Sequence, residues 1–268
     1  MTRTITHDHT GPSALRLRLP AGRITVTATD DSDRATVRLT PQNPGDQAAV
    51  DAIEETEVTQ SADGLTVTVP ATGGGSSVHT VVQRGGGRVS VSQTAGIVTG
   101  SMTGVTITSD GSIFVGGRNG AMVITGGAGG GVDAEVTVPV GHHVDLAPGA
   151  ADVTSTGQVT FLRVDSGSGD VHVTGAEVAE VITGSGDVTA SGVRALYART
   201  GSGDITVPEA SGSVVASTGS GDVHVHLSAE LPALEIRTGS GDITVTAAPG
   251  VRVDRSRLRT GSGDIHTP

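Results

Sequence analysis

Residues 200–207 read TGSGDITV, and residues 238–245 read TGSGDITV again. The same phrase stands as SGSGDVHV at 166–173, TGSGDVTA at 183–190, TGSGDVHV at 218–225 and TGSGDIHT at 260–267. With the aspartate of each phrase as a ruler, the steps between Asp170, Asp187, Asp204, Asp222, Asp242 and Asp264 are 17, 17, 18, 20 and 22. A degraded copy, GAADVTS, places Asp152 one such step before Asp170. A repeat of this length marks a chain that winds, each winding stacking on the last because it cannot bury its apolar side alone.

Alignment of the windings separates inside from outside. One residue past each aspartate stand Val153, Val171, Val188, Ile205, Val223, Ile243 and Ile265, all β-branched. Two past stand Thr154, His172, Thr189, Thr206, His224, Thr244 and His266, all polar; three past, Val173, Ala190, Val207, Val225 and Val245 are apolar again. This is the two-residue period of a strand with one buried face. A second strand precedes each corner: Leu162, Ala179, Leu196, Val214 and Leu234, then Val164, Val181, Ala198, Ala216, Ile236 and Leu258, point inward. Between and beside them stand Arg163, Asp165, Glu180, Arg199, Glu235, Arg237, Arg257 and Arg259, with Ile182, Tyr197 and Val215 as apolar exceptions. Each winding therefore has two strands joined by GSG at one end and, at the other, by a corner of variable length that absorbs the widening of the step.

Composition agrees. The chain of 268 residues holds 41 glycines, one Tyr, two Phe and no Trp, so its core is built from small β-branched residues. The fold class expected is all-β: a parallel β-solenoid or β-roll-like stack of 17–22-residue coils, with an N-terminal β-rich part containing one short helix. Leu15, Leu17 and Leu19 alternate with arginines, and Ile24 and Val26 with threonines, as strands do; 35–39 and GLTVTVP at 64–70 repeat the pattern. The helix lies in DQAAVDAIEETE from 46, where Ala49, Val50 and Ile53 share a face and Asp46 caps the start. Residues 73–131 read as short strands (VVQ, RVSV, GVTIT, SIFV, AMVI) between glycine-rich turns. GGAGGG at 126–131 divides an N-terminal region, 1–131, from the GSGD-repeat region, 132–268, unless the two form one continuous domain.

The corner glycines are expected to supply positive φ and to let successive windings approach closely. They are the pairs Gly167 and Gly169, Gly184 and Gly186, Gly201 and Gly203, Gly219 and Gly221, Gly239 and Gly241, and Gly261 and Gly263. The aspartates are harder, since like charges about 5 Å apart repel by about 0.8 kcal/mol even in water. Either each carboxylate accepts hydrogen bonds from amides and hydroxyls of its own corner, or the row binds calcium. Asp170, Asp187, Asp204, Asp222, Asp242 and Asp264 are thus the metal candidates; no other cofactor is expected. The likeness to the nine-residue calcium β-roll repeat is weak, because the period here is about double.

Other chemistry finds little support. His172, His224 and His266 lie two or more windings apart; His224 and His226 read as a solvated pair, His142 and His143 sit beside a strand end, and His7, Asp8 and His9 read as a mobile terminus. No catalytic constellation emerges, the GSG phrases lacking the strand-to-helix context of a nucleophile elbow. Asp165, Glu180 and Glu235 on one outer face leave a carbohydrate-active β-helix enzyme as an alternative. A net charge of −11 argues against a nucleic-acid surface, and no nucleic-acid partner is expected. No apolar run is long enough to span a membrane, and residues 1–25 carry no signal-peptide pattern, so a cytoplasmic location is expected, with the cell envelope as the alternative.

The repeated [ST]GSGD[VI] phrases, preceded by VTVPVGHHVDL at 136–146, resemble a bacterial β-strand-repeat domain family known by the name "putative adhesin". The resemblance is specific over 132–268 and looser over 14–70. It implies a parallel β-solenoid, often in a cell-envelope setting. The function expected is a non-enzymatic structural or protein-interaction module, whose partner is another protein or a second copy stacked through the solenoid ends. Binding of calcium or a cationic ligand by the aspartate row is the alternative.

Overall fold

The computed structural model describes residues 2–7, 13–61, 64–71 and 131–268, together with the backbone of five short strands between 79 and 124. The first part comprises β1 (Arg3–His7), β2 (Ala14–Thr29), β3 (Ala35–Pro41), α1 (Gln47–Glu54), β4 (Glu57–Ser61) and β5 (Gly64–Thr68). The five short strands are β6 (His79–Val82), β7 (Ser90–Gln93), β8 (Val105–Ile107), β9 (Ile113–Gly117) and β10 (Gly120–Ile124). After them come β11 (Val132–Pro139), β12 (His143–Ser166), β13 (Val171–Thr183), β14 (Val188–Thr200), β15 (Ile205–Ala210), β16 (Ser213–Thr218) and β17 (Val223–Leu227). The last are β18 (Leu234–Thr238), β19 (Ile243–Ala247), β20 (Leu258–Thr260) and β21 (Ile265–His266).

The protein is mostly β with one short helix, and its main sheet of 16 strands is parallel over most of its length. Val153 pairs with Val171, Val171 with Val188, Val188 with Ile205, Ile205 with Val223, Val223 with Ile243 and Ile243 with Ile265, the steps the aspartates mark in the sequence. A second ladder pairs Val164 with Val181, Val181 with Ala198, Ala198 with Ala216, Ala216 with Ile236 and Ile236 with Leu258. The inward residues of both ladders form one aliphatic cluster running from Ile5 to Leu258. Val171, Val188, Ile205, Val223 and Ile243 are each at most 1% exposed, and burying such a side chain contributes about 1.5–3 kcal/mol.

The N-terminal strand enters this stack out of chain order. β2 lies between β11 and β12, parallel to both: Ile24 faces Ala134 on one side and Val153 on the other. Its halves, Leu15–Leu19 and Ile24–Ala28, meet at a corner, Pro20 to Arg23, in register with 149–152. One sheet thus carries strands from both sides of the 131/132 division.

Antiparallel strands close the first end, where β3 pairs with β11, β1 with β3 and β4 with β5. α1 lies there too, Asp46 accepting from the amides of Ala48 (3.0 Å) and Ala49 (3.3 Å), and Arg3 donating to the carbonyls of Ile53 and Glu54. Ala49, Ala52 and Ile53 face the core; Val50, expected there, is only half-buried. His7 is not a loose end but a buried residue of β1 opposite Ala35, whereas Asp8 and His9 lie outside the described residues. The five short words of 73–131 are the five strands β6–β10, paired antiparallel in separate sheets of two and three strands. Among the described residues nothing pairs with the outer edges of β20 and β21, so the N-terminal region caps the opposite end. There Arg255 donates to the carbonyl of Ile265 at 3.2 Å.

Candidate functional site

The GSGD corners form one continuous edge along the stack, and two polar ladders run through it. In the first, each aspartate Oδ1 accepts the backbone N–H of the aspartate one winding on. Asp170 donates to Asp152 (3.1 Å), Asp187 to Asp170 (2.9 Å), Asp204 to Asp187 (2.8 Å), Asp222 to Asp204 (2.8 Å), Asp242 to Asp222 (2.7 Å) and Asp264 to Asp242 (2.8 Å). The expected partners within the same corner are therefore replaced by one in the next winding. A hydrogen bond to an ionised acceptor is worth about 1.5–3 kcal/mol, enough to exceed the like-charge repulsion between solvated neighbours. Arg23 stands in this row between Asp133 and Asp152, putting a cation among the anions.

The second ladder uses the residue before each GSG, which the sequence reading left unassigned although it is threonine in five of the six phrases. Thr218 Oγ1 donates to the Gly203 carbonyl of the previous winding (2.9 Å) and accepts the Gly221 amide of its own corner (3.0 Å). Thr200, Thr238 and Thr260 repeat the pattern with Gly186 and Gly203, Gly221 and Gly241, and Gly241 and Gly263. Thr200, Thr218 and Thr238 are buried, so each of these hydroxyls closes a corner and ties it to its neighbour away from water, while the buried Thr183 closes its own corner by accepting the Gly186 amide at 3.1 Å.

The corner glycines are required by approach, not by backbone sign. None of the twelve has positive φ; that conformation belongs to Gly22, Gly64, Gly141, Gly157, Gly175, Gly192 and Gly250. A Cβ on Gly203 would stand 2.0 Å from the Gly186 carbonyl oxygen, and one on Gly241 1.9 Å from that of Gly221. Only hydrogen fits between successive corners.

The edge thus spends its polar groups on itself. One oxygen of each carboxylate from Asp152 to Asp242 is committed to an amide, and among the described residues no group of three or more His, Asp or Glu side chains is placed to hold a metal ion. Asp254, at a corner outside the row, has its carboxyl held below the usual carboxylate range, chiefly by hydrogen bonds from Ser256 and also by Arg257.

Outward side chains fall into two faces. The first carries Thr154, His172, Thr189, Thr206, His224, Thr244 and His266 in one row. His226 Nδ1 lies 2.8 Å from Thr246 Oγ1, and His172 Nε2 3.4 Å from Thr174 Oγ1. On the other face Glu180 is held by Arg163 (3.3 Å) and Glu235 by Arg237 (2.6 Å). Glu180 and Glu235 are three rungs apart, about 14 Å at ordinary strand spacing, beyond the separation of a glycosidase acid pair, whereas Asp165, opposite Ile182, lies on the rung next to Glu180. His142 is buried beneath β12 and His143 stands against Phe161, ring centroids 6.1 Å apart. The long corners of the last windings line an open cleft of about 550 Å³, whose walls include Arg252, Arg257, Glu230, Asp254, Leu231 and Val253. No described helix is long and apolar enough to cross a membrane.

Among curated proteins none matches this chain. A solved "putative adhesin" from Bacteroides fragilis is 12% identical, with 100% of this chain and 97% of that one covered and a TM-score of 0.51, which shows a shared fold. A "putative adhesin" from Parabacteroides distasonis is 11% identical (100% and 97% covered, TM-score 0.39), and a "putative cell adhesion protein" from Clostridium sporogenes 10% identical (100% and 99%, TM-score 0.35). The family model described as Toastrack DUF4097 matches residues 47–268, and the chain belongs to that family.

Proposed function

We propose that the chain is a non-enzymatic, adhesin-like interaction module: a β-solenoid of 17–22-residue coils whose outward faces contact another protein. The observation that carries this reading is the division of labour within each winding. Inward positions are aliphatic, the corner aspartates and threonines bond to neighbouring windings, and the outward rows are committed to neither. Of the three acids that suggest a hydrolase, Glu180 and Glu235 are held by arginines. The Bacteroides fragilis protein of the same fold is described as a "putative adhesin", which agrees with this role.

Attachment of beads coated with the full chain to cells of the source organism tests the proposal, with a chain unfolded by Val188→Asp, Ile205→Asp and Val223→Asp together as the control. Folded protein should attach and unfolded protein should not; equal attachment overturns the reading, as does turnover of an acidic polysaccharide by the folded chain. Fractionation of native cells decides between the cytoplasm and the envelope, which an adhesin-like role requires.

A further inference from the structure

The core of this protein uses no aromatic side chain from the described residues, yet two of the chain's three aromatics, Phe161 and Tyr197, stand outward on one sheet face. That face is formed by the second ladder. Phe161, Val178 and Ala195 follow one another along one row, Tyr197 is beside Val215 in the next, and Ile182 lies between Asp165 and Arg199 in the third. Tyr197 is 50% exposed and the other apolar members are half-buried. The patch crosses four rungs, about 14 Å along the stack. Apolar side chains gathered on a sheet that already has a complete core on its other side mark an interaction surface.

Charge says what the surface accepts. The same rows carry Arg16, Arg18, Arg163, Arg199, Arg237 and Arg259 against Asp145, Asp165, Glu180 and Glu235. Arg16 is 3.8 Å from Asp145, and Arg163 and Arg237 hold Glu180 and Glu235, so the excess cations are Arg18, Arg199 and Arg259, opposed by Asp165 and, beyond Thr68, by Glu57. A net positive face on a chain of charge −11 favours an acidic partner and disfavours a second copy presenting the same face. The chain has no lysine, so every cation on this face is a guanidinium, and exposed Tyr beside Arg is the side-chain chemistry enriched at binding hot spots. The branched aliphatics at the centre match apolar side chains rather than sugars or phosphodiesters.

We propose that this face, centred on Tyr197 and Arg199, docks a segment of another protein bearing an apolar anchor flanked by Asp or Glu. The proposal rests on the interaction-module reading and names the face and partner chemistry for it.

Selection of a displayed random-peptide library on the folded full chain tests it. Selected peptides should pair aliphatic or aromatic residues with acids and weaken with salt. Tyr197→Ala and Arg199→Glu should each reduce their affinity about tenfold, while Thr206→Ala on the opposite face leaves it unchanged. Both substituted residues are exposed, so circular dichroism should match the wild type. Peptides without acids, or peptides indifferent to Tyr197→Ala, overturn the proposal. Self-association abolished by Tyr197→Ala, or binding of an acidic polysaccharide at this face in place of peptide, also overturns it. If beads coated with the Tyr197→Ala variant attach to cells as wild type does, this face is wrong while the interaction module stands; if wild-type beads do not attach, the broader reading fails first.

Discussion

Thr218→Val tests the threonine ladder by removing one oxygen and keeping the shape of the side chain. Thr218 Oγ1 makes two hydrogen bonds, to the Gly203 carbonyl at 2.9 Å and from the Gly221 amide at 3.0 Å, and the residue is 5% exposed. Valine leaves both backbone groups without that partner in a site water does not reach. A buried polar group so orphaned costs about 1–3 kcal/mol, so the pair should lose about 3 kcal/mol. For a chain of this size the melting temperature should fall by about 6–12 °C. Thr218→Ser keeps both bonds and loses one methyl, for about 1 kcal/mol. Urea unfolding followed by far-UV circular dichroism gives both numbers, and amide exchange should show the Gly221 N–H losing protection in the valine variant alone. A valine variant within about 0.5 kcal/mol of wild type, or a serine variant less stable than the valine one, would refute the claim that the hydroxyl joins successive windings.

Gly203→Ala should cost more than about 3 kcal/mol or prevent folding, its Cβ falling 2.0 Å from a backbone oxygen. Gly250→Ala, at φ +88° with no atom within 4 Å of the added carbon, should cost only about 1 kcal/mol, and thermal melts of the two variants separate close approach from backbone sign. Asp204→Asn keeps an oxygen for the Asp222 amide while removing a charge, so it should match or exceed wild-type stability at low salt, whereas Asp204→Ala should lose about 1.5–3 kcal/mol in the same urea titration. Millimolar calcium should leave the melting temperature unchanged, since one oxygen of each laddered carboxylate already accepts an amide; a rise that a chelator reverses would reinstate the cation reading. Ser155 is fully buried in a row otherwise filled by Val26, Val173 and Ala190, and its Oγ has no hydrogen-bond partner, so Ser155→Ala should stabilise by about 1 kcal/mol, read from the urea midpoint.

Strand phase and winding register were legible because both depend on a two-residue period and a repeated corner, each visible along a single line of sequence. Partners across windings were less so. The Asp222 amide reaches Asp204, not its own corner, because stacking brings a residue of the previous winding closer than the turn does. A signal for the threonine ladder was present all the same, in the T that opens TGSGD. β2 was read as strands but not as part of the stack, since its corner PAGR has arginine where the phrase has aspartate. Laid under VDLAPGAADVTST (144–156), LRLRLPAGRITVT (15–27) shows the same strand, four-residue corner and strand, with Ile24 under Val153. What no single line of sequence discloses is that a coil from residues 14–29 is interposed between coils written after residue 131.

The two corners of a winding obey different constraints, and this decides where the protein can change. At the GSGD end, carbonyl, hydroxyl, carboxylate and Cβ space are all committed to the adjacent winding, so a substitution is felt by three successive turns of chain. At the other end, the greater length of the later windings is accommodated because the extra residues lie outside the ladders. Outward rows belong to neither constraint. An aromatic side chain placed there adds nothing to a core already filled by valine and isoleucine, and it leaves about half of Tyr197 in water. Folding gains nothing from the exposed half, whereas a partner covering the ring would gain its burial. The arrangement therefore places stability at the glycine-bearing edge and leaves the face that carries Tyr197 open to the docking proposed above.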